Sequence, residues 1–70
     1  MNYNFLYQRI GKKIKNIRME KGITQEELAE KADIHRAYFW EIEQGRNISL
    51  KTAYKIARAL GVKLRDLFDF

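Results

Sequence analysis

The apolar residues of this chain recur three and four positions apart, and no stretch of it alternates with period two. Such spacing builds the buried stripe of an α-helix and cannot line one face of a strand. Leu6, Ile10, Ile14 and Ile17 mark a first helix over about residues 5–20, with Gly22 placed as a C-cap and Lys21 beside it to complement the helix dipole. Thr24 opens a second helix, and Glu27 three residues on completes a capping box, in which hydroxyl and carboxylate each satisfy an orphan backbone N–H. Leu28, Ala29 and Ala32 form its inward face. After a break at Ala32-Asp33-Ile34, Phe39 and Ile42 mark a third helix over about residues 36–44, ended by Gly45. Ser49 is the N-cap of a fourth helix carrying Leu50, Ala53, Ala57 and Leu60 on one face, and Gly61 stops it. Residues 63–68, with Leu64, Leu67 and Phe68 apolar, read as a short fifth helix. There is no proline, and the four glycines are taken as the chain's punctuation. The expected fold is all-α, one compact five-helix domain over residues 1–70. Its expected core is Ile10, Ile14, Ile17, Leu28, Ile34, Phe39, Ile42, Leu50, Ile56 and Leu60, closed by Leu64 and Leu67.

A chain of 70 residues buries only about 60% of the surface its unfolded form exposes. With no cysteine it has neither disulfide nor thiolate metal site to reinforce it, so helical packing or a partner subunit must supply the stability. No apolar run approaches the roughly 20 residues that span a bilayer. The opening MNYNFLYQRI lacks the charged region and apolar stretch of a signal peptide. The expectation is a soluble cytoplasmic protein without membrane contact.

Charge is distributed in blocks within a net +5. Residues 1–19 hold Arg9, Lys12, Lys13, Lys15 and Arg18 and no acid; residues 49–65 hold Lys51, Lys55, Arg58, Lys63 and Arg65 and no acid. Residues 20–48 carry four cations against seven acids. Any one such run is often a solvated helix face, but two acid-free segments in so short a chain favour a phosphate-facing surface. Catalysis finds no support: the chain has no glycine-rich phosphate loop, no cysteine nucleophile and no spaced His–carboxylate arrangement. His35 stands alone; without thiols or a second histidine a metal site is not expected, and it reads as an N-cap or surface histidine before any pH sensor. Glu26, Glu27 and Glu30 read as ordinary helix formers. Neither a cofactor nor a small-molecule ligand is expected.

The segment TQEELAEKADIHRAYFWEIEQG, residues 24–45, is a capped helix, a tight turn and a second helix. That is the supersecondary unit whose second helix lies in the DNA major groove. Together with IGKKIKNIRMEKGITQEELA before it and KIARALGVKLRDLF after it, the segment resembles the Cro/repressor-type helix-turn-helix family from Ile10 to Phe68. Within that family, HRAYFWEIEQGRNISLKTAYKIARALGV is most similar to the controller proteins of restriction–modification systems. Two departures stand out: the loop after the third helix is one residue shorter between Gly45 and the Asn-x-Ser element, and Trp40 and Glu41 occupy positions where small or polar residues are usual.

The resemblance implies a transcriptional regulator that binds double-stranded operator DNA as a homodimer. It places Arg36 against base edges, where a guanidinium donates two hydrogen bonds to guanine. Ala37 is small enough to touch a thymine methyl. Trp40 and Glu41 lie off the Phe39–Ile42 stripe; facing DNA, the carboxylate accepts from cytosine N4 and the indole packs on backbone or methyl. For Trp40 the favoured alternative is that it covers the edge of the core. Thr24, Gln25, His35, Tyr38, Arg46, Asn47 and Lys51 gather at helix N-termini and recognition-helix ends, where polar groups bind phosphate. Arg18 and Glu43 match a partly buried ion pair of the family. Tyr54, Phe68 and Phe70 are left over for a two-fold contact. A second reading, an antitoxin-like interaction module with LFDF as its partner surface, and a third, a nonspecific nucleic-acid binder, remain open at this point.

Overall fold

A computed structural model describes residues 3–70. It contains α1 (Asn4–Glu20), α2 (Gln25–Ala32), α3 (Arg36–Glu43) and α4 (Leu50–Leu60), then a 3-10 helix (Leu64–Phe68), with no strand among the described residues. The expected fifth α-helix is thus a short 3-10 turn. The segment is five residues long, too short for α-helical hydrogen bonds to outweigh a costly nucleus. Its backbone is fixed by the Lys63 N–H, which donates to the Asp66 carboxylate at 2.9 Å, and by packing of Leu67, which is fully buried.

α2, α3 and α4 each begin where a side chain satisfies orphan donors, whereas α1 opens at Tyr3 without a side-chain cap. Thr24 and Glu27 form the reciprocal capping box, at 3.1 and 3.0 Å. His35 caps α3 through Nδ1, which accepts from the Ala37 N–H at 3.3 Å, and Ser49 caps α4 by accepting from the Thr52 N–H at 3.1 Å. The helix ends share one device. Gly22, Asp33 and Gly61 take left-handed backbone (φ 68°, 57° and 75°), and the next residue donates back across the last turn: Ile23 to Arg18, Ile34 to Ala29, Val62 to Ala57. Ile23, Ile34 and Val62 then turn inward and pack on the core. Asp33 serves where glycine is usual because a short polar side chain tolerates this conformation.

The core is Ile10, Ile14, Leu28, Ala29, Ala32, Phe39, Ile42, Ala53, Ile56, Ala57, Leu60 and Leu67, with Ile17, Ile34 and Leu64 partly buried against it. Leu50 is the exception to the expected set, at 68% exposed. It opens α4 immediately after the Ser49 cap, and the core-facing stripe begins only one turn later, at Ala53. Nor are all four glycines punctuation. Gly11 lies inside α1 and is buried, with α3 so close that a Cβ there would sit 2.3 Å from the Ile42 carbonyl oxygen. α1 therefore carries α3 on a glycine seat.

Candidate nucleic-acid interface

α3 divides by angle. Phe39 and Ile42 are buried, while Arg36, Ala37 and Trp40 point outward and Glu41 is half-exposed. Trp40 lies about 100° around the helix from Phe39, and Ile42 about 200° from Trp40. Its indole is 52% exposed, turned to the outward side of the helix with about half its surface covered. The outward residues line a hollow with Gln25 and His35, and an adjoining hollow is formed by Arg18, Thr24, Gln25, Glu26 and Arg36. The N-termini of α2 and α3 thereby contribute to one continuous surface.

A buried network sets the angle between these elements. Arg18 grips Glu43 through Nε (2.8 Å) and Nη2 (3.2 Å), and its Nη1 donates to the Ile23 carbonyl at 2.8 Å. The Arg18 and Glu43 side chains are 11% and 0% exposed. Gln25 Nε2 completes the network by donating to Glu43 Oε1 at 2.8 Å. One amide N–H of Gln25 is thus turned inward, where the fully buried carboxylate takes a second donor, while the residue still lines both surface hollows. Toward a phosphate Gln25 retains the second N–H of its amide and its backbone N–H, in the first turn of α2, where such groups lack intrahelical partners.

Arg36 and Glu41 are engaged with neighbouring side chains. Arg36 Nη1 lies 2.9 Å from Glu26 Oε2, with both side chains largely exposed. Glu26 was passed over in the sequence as a helix former; its signal was the position on the second residue of α2, beside the opening of α3. Glu41 pairs with Arg46, whose guanidinium also lies over the Tyr38 ring at 4.8 Å from its centroid. Arg46 follows Gly45 (φ 106°) and donates its N–H back to the Glu41 carbonyl. This is the same end device as in the other helices, except that a cation stands where they have an apolar residue. The exit of α3 thus carries charge outward instead of a side chain inward.

First-turn charges differ among the helices. α2 has Glu26 and Glu27 there, whereas α3 and α4 have no acid and carry Arg36 and Lys51 instead. A cation near a helix N-terminus is unfavourable with the dipole but adds to it toward an anion. The Glu27 carboxyl is held below the usual carboxylate range, chiefly by the Thr24 N–H and then by the Thr24 hydroxyl, so the α2 cap is charged at neutral pH. Asn47 and Lys51 are exposed on the loop and the first turn of α4. Tyr54 is exposed beneath the Arg58 guanidinium, Phe68 is exposed, and Phe70 turns back onto α1 beside Arg9 at 5.7 Å. Among the described residues no helix is long and apolar enough to cross a membrane, and no side-chain cluster is suited to a metal ion.

An outward-facing second helix locked to the first makes α2 and α3 a helix-turn-helix. Residues 14–67 match the helix-turn-helix family, and the chain belongs to this family of DNA-binding transcriptional regulators. It is similar to control protein C.BamHI of Bacillus amyloliquefaciens, 48% identical over 62 residues that cover 86% of this chain and 76% of that protein. It also resembles control protein C.MunI of a Mycoplasma species, 44% identical over 63 residues, 87% of this chain and 85% of that one. Among solved structures, the restriction-modification controller protein C.AhdI from Aeromonas hydrophila superposes with a TM-score of 0.86 at 36% identity, covering 89% of this chain and 96% of that one.

Proposed function

We propose that this chain is a homodimeric operator-binding regulator in the cytoplasm, acting as the controller of a restriction–modification system. The observation that carries the reading is the outward face of α3: Arg36, Ala37, Trp40 and Glu41 project from a helix whose other face is locked in the core. The likeness to control proteins supports the cellular role. In this reading Arg36 reads a guanine edge, Ala37, Trp40 and Glu41 complete the base contacts, and Thr24, Gln25, His35, Tyr38, Arg46, Asn47 and Lys51 fix register on phosphates.

Titration against a duplex selected from a randomised pool, and against a scrambled duplex, tests the assignment. Arg36→Ala is expected to weaken the selected duplex by about 1–3 kcal/mol and the scrambled one far less. Lys51→Ala is expected to weaken both alike and to reduce the salt slope by about one. Equal losses on both duplexes for Arg36→Ala would refute base reading by that residue.

Dimerisation has a geometric motive, because two recognition helices related by a dyad read half-sites about 34 Å apart on one face of the duplex. Exposed apolar side chains support it: Leu50 and Tyr54 stand one turn apart on α4, and Phe68 and Phe70 follow at the end of the chain. Sedimentation equilibrium is expected to give twice the chain mass at micromolar concentration. A Tyr54→Ala, Phe68→Ala, Phe70→Ala triple variant should sediment as a monomer with weakened operator binding. A monomeric wild type that binds the selected duplex as tightly as the variant would refute it.

A further inference from the structure

The geometry points to Glu26 as a specificity-determining residue that acts through Arg36. This rests on the reading of Arg36 as the base-contacting residue. Glu26 Oε2 lies 2.9 Å from Arg36 Nη1, and the two side chains are 71% and 65% exposed. A pair this exposed adds little to folding, since such bridges contribute about 0–1 kcal/mol. Its position is what sets it apart from other surface pairs: Glu26 sits in the first turn of α2 and Arg36 opens α3, so both line the same hollow.

A guanidinium presents five N–H donors in a fixed fork. Glu26 is the ion-pair partner of Nη1, and among the described residues no other side-chain hydrogen bond or ion pair engages the Arg36 guanidinium. The edge formed by Nε and Nη2 is left to meet guanine O6 and N7. The pairing biases a side chain with several rotatable bonds toward this direction before DNA arrives, which reduces the ordering cost of the base contact. On DNA without the matching guanine the same carboxylate has the opposite effect. It neutralises a cation that would otherwise contact any phosphate. Glu26 therefore strengthens the cognate complex and weakens the random one. Glu27, its neighbour, does not share the role, because its carboxylate is committed to the Thr24 backbone.

The test is a double-mutant cycle of Glu26→Ala and Arg36→Ala, read as the ratio of dissociation constants on scrambled and selected duplexes, with Glu26→Gln alongside. Glu26→Ala is expected to lower this ratio about tenfold, within what one bidentate base contact supplies. The scrambled duplex should bind several-fold tighter with a salt slope steeper by about 0.9, as one more cation neutralises a phosphate, while the selected duplex binds more weakly. In the Arg36→Ala background the same change should leave the ratio unaltered. Glu26→Gln keeps an oxygen for Nη1 and should retain more of the ratio than Glu26→Ala. If Arg36→Ala lowers the ratio and Glu26→Ala does not, the positioning role fails and base reading by Arg36 stands. If Arg36→Ala leaves the ratio unchanged, both fail. An equal drop with and without Arg36, or with Gln and Ala alike, assigns the effect to charge repulsion and overturns the positioning role.

Discussion

Gly11→Ala is expected to destabilise the protein by about 2–3 kcal/mol, a large fraction of the total stability of a domain of this size. An alanine ordinarily stabilises a helix interior by up to about 1 kcal/mol relative to glycine, so the expected sign runs against propensity. The opposing effect is steric. The new methyl would lie 2.3 Å from the Ile42 carbonyl oxygen and 3.0 Å from that of Glu43. Both are backbone atoms of α3, so no rotamer change relieves the overlap. α3 must retreat from α1 by roughly an ångström, a gap that forfeits a quarter to a half of the contact energy across the seam. The seam includes Ile14 and Phe39, both fully buried. Gly22→Ala and Gly61→Ala are the controls. Nothing lies within 4 Å of a Cβ at either, and they carry only the cost of left-handed backbone, about 1–2 kcal/mol. Urea unfolding of the three variants ranks them, and a Gly11→Ala protein at least as stable as wild type would show that α1 and α3 are not held this close.

Gly11 also marks where the sequence stops being legible. Periodicity located α1 through α4 because each helix has an apolar stripe, and caps at Thr24, His35 and Ser49 are local chemistry readable from residue type. Gly22, Gly45 and Gly61 fit stops for the same reason. Gly11 has no local explanation; its reason is the backbone of a helix some thirty residues away, so a mid-helix glycine signals close packing without naming the partner. Leu50 failed in the reverse direction. Its apolar character and i+3 relation to Ala53 fit the stripe, but the first residue of a helix sits where the chain is still arriving from outside. Leu64–Phe68 had the right residues buried and the wrong helix type, since five residues cannot distinguish one turn geometry from another.

The proposed DNA surface was legible as a set of positions and not as a set of partnerships. Trp40 and Glu41 follow from the angle they make with Phe39 and Ile42, which helix geometry supplies, whereas Arg36 and its place against base edges come from the family resemblance. That Arg36 meets Glu26, that Arg46 bridges Glu41 and Tyr38, and that Gln25 turns inward to Glu43 all depend on how α2, α3 and the following loop are set in space. The Arg18–Glu43 pairing was reached by likeness to a family. Neither residue lies within a helical turn of the other, and residues 25 apart in a chain carry no local signal of contact.

Arg18→Ala is expected to cost about 3–5 kcal/mol, because it leaves the Glu43 carboxylate buried without its main counter-charge. Glu43 is fully enclosed and would retain one donor, Gln25 Nε2. The converse variant, Glu43→Ala, is expected to be milder by about 1–2 kcal/mol, since an arginine left alone keeps the Ile23 carbonyl and a solvent-exposed edge and so recovers part of its hydration. Removing both charges separates stability from architecture. An Arg18→Met, Glu43→Met protein is expected to regain most of the loss, as apolar replacements of buried pairs commonly do. It should still bind the selected duplex more weakly, because Gln25 loses the carboxylate that ties the opening of α2 to the end of α3. Gln25→Ala in the wild-type background should reproduce part of that binding defect with a smaller change in melting temperature. Arg18→Ala and Glu43→Ala proteins that melt together, close to wild type, would show that the pair is hydrated and contributes little. A Met–Met variant with unimpaired discrimination between duplexes would show that the network stabilises the fold without setting the angle at which α3 meets DNA.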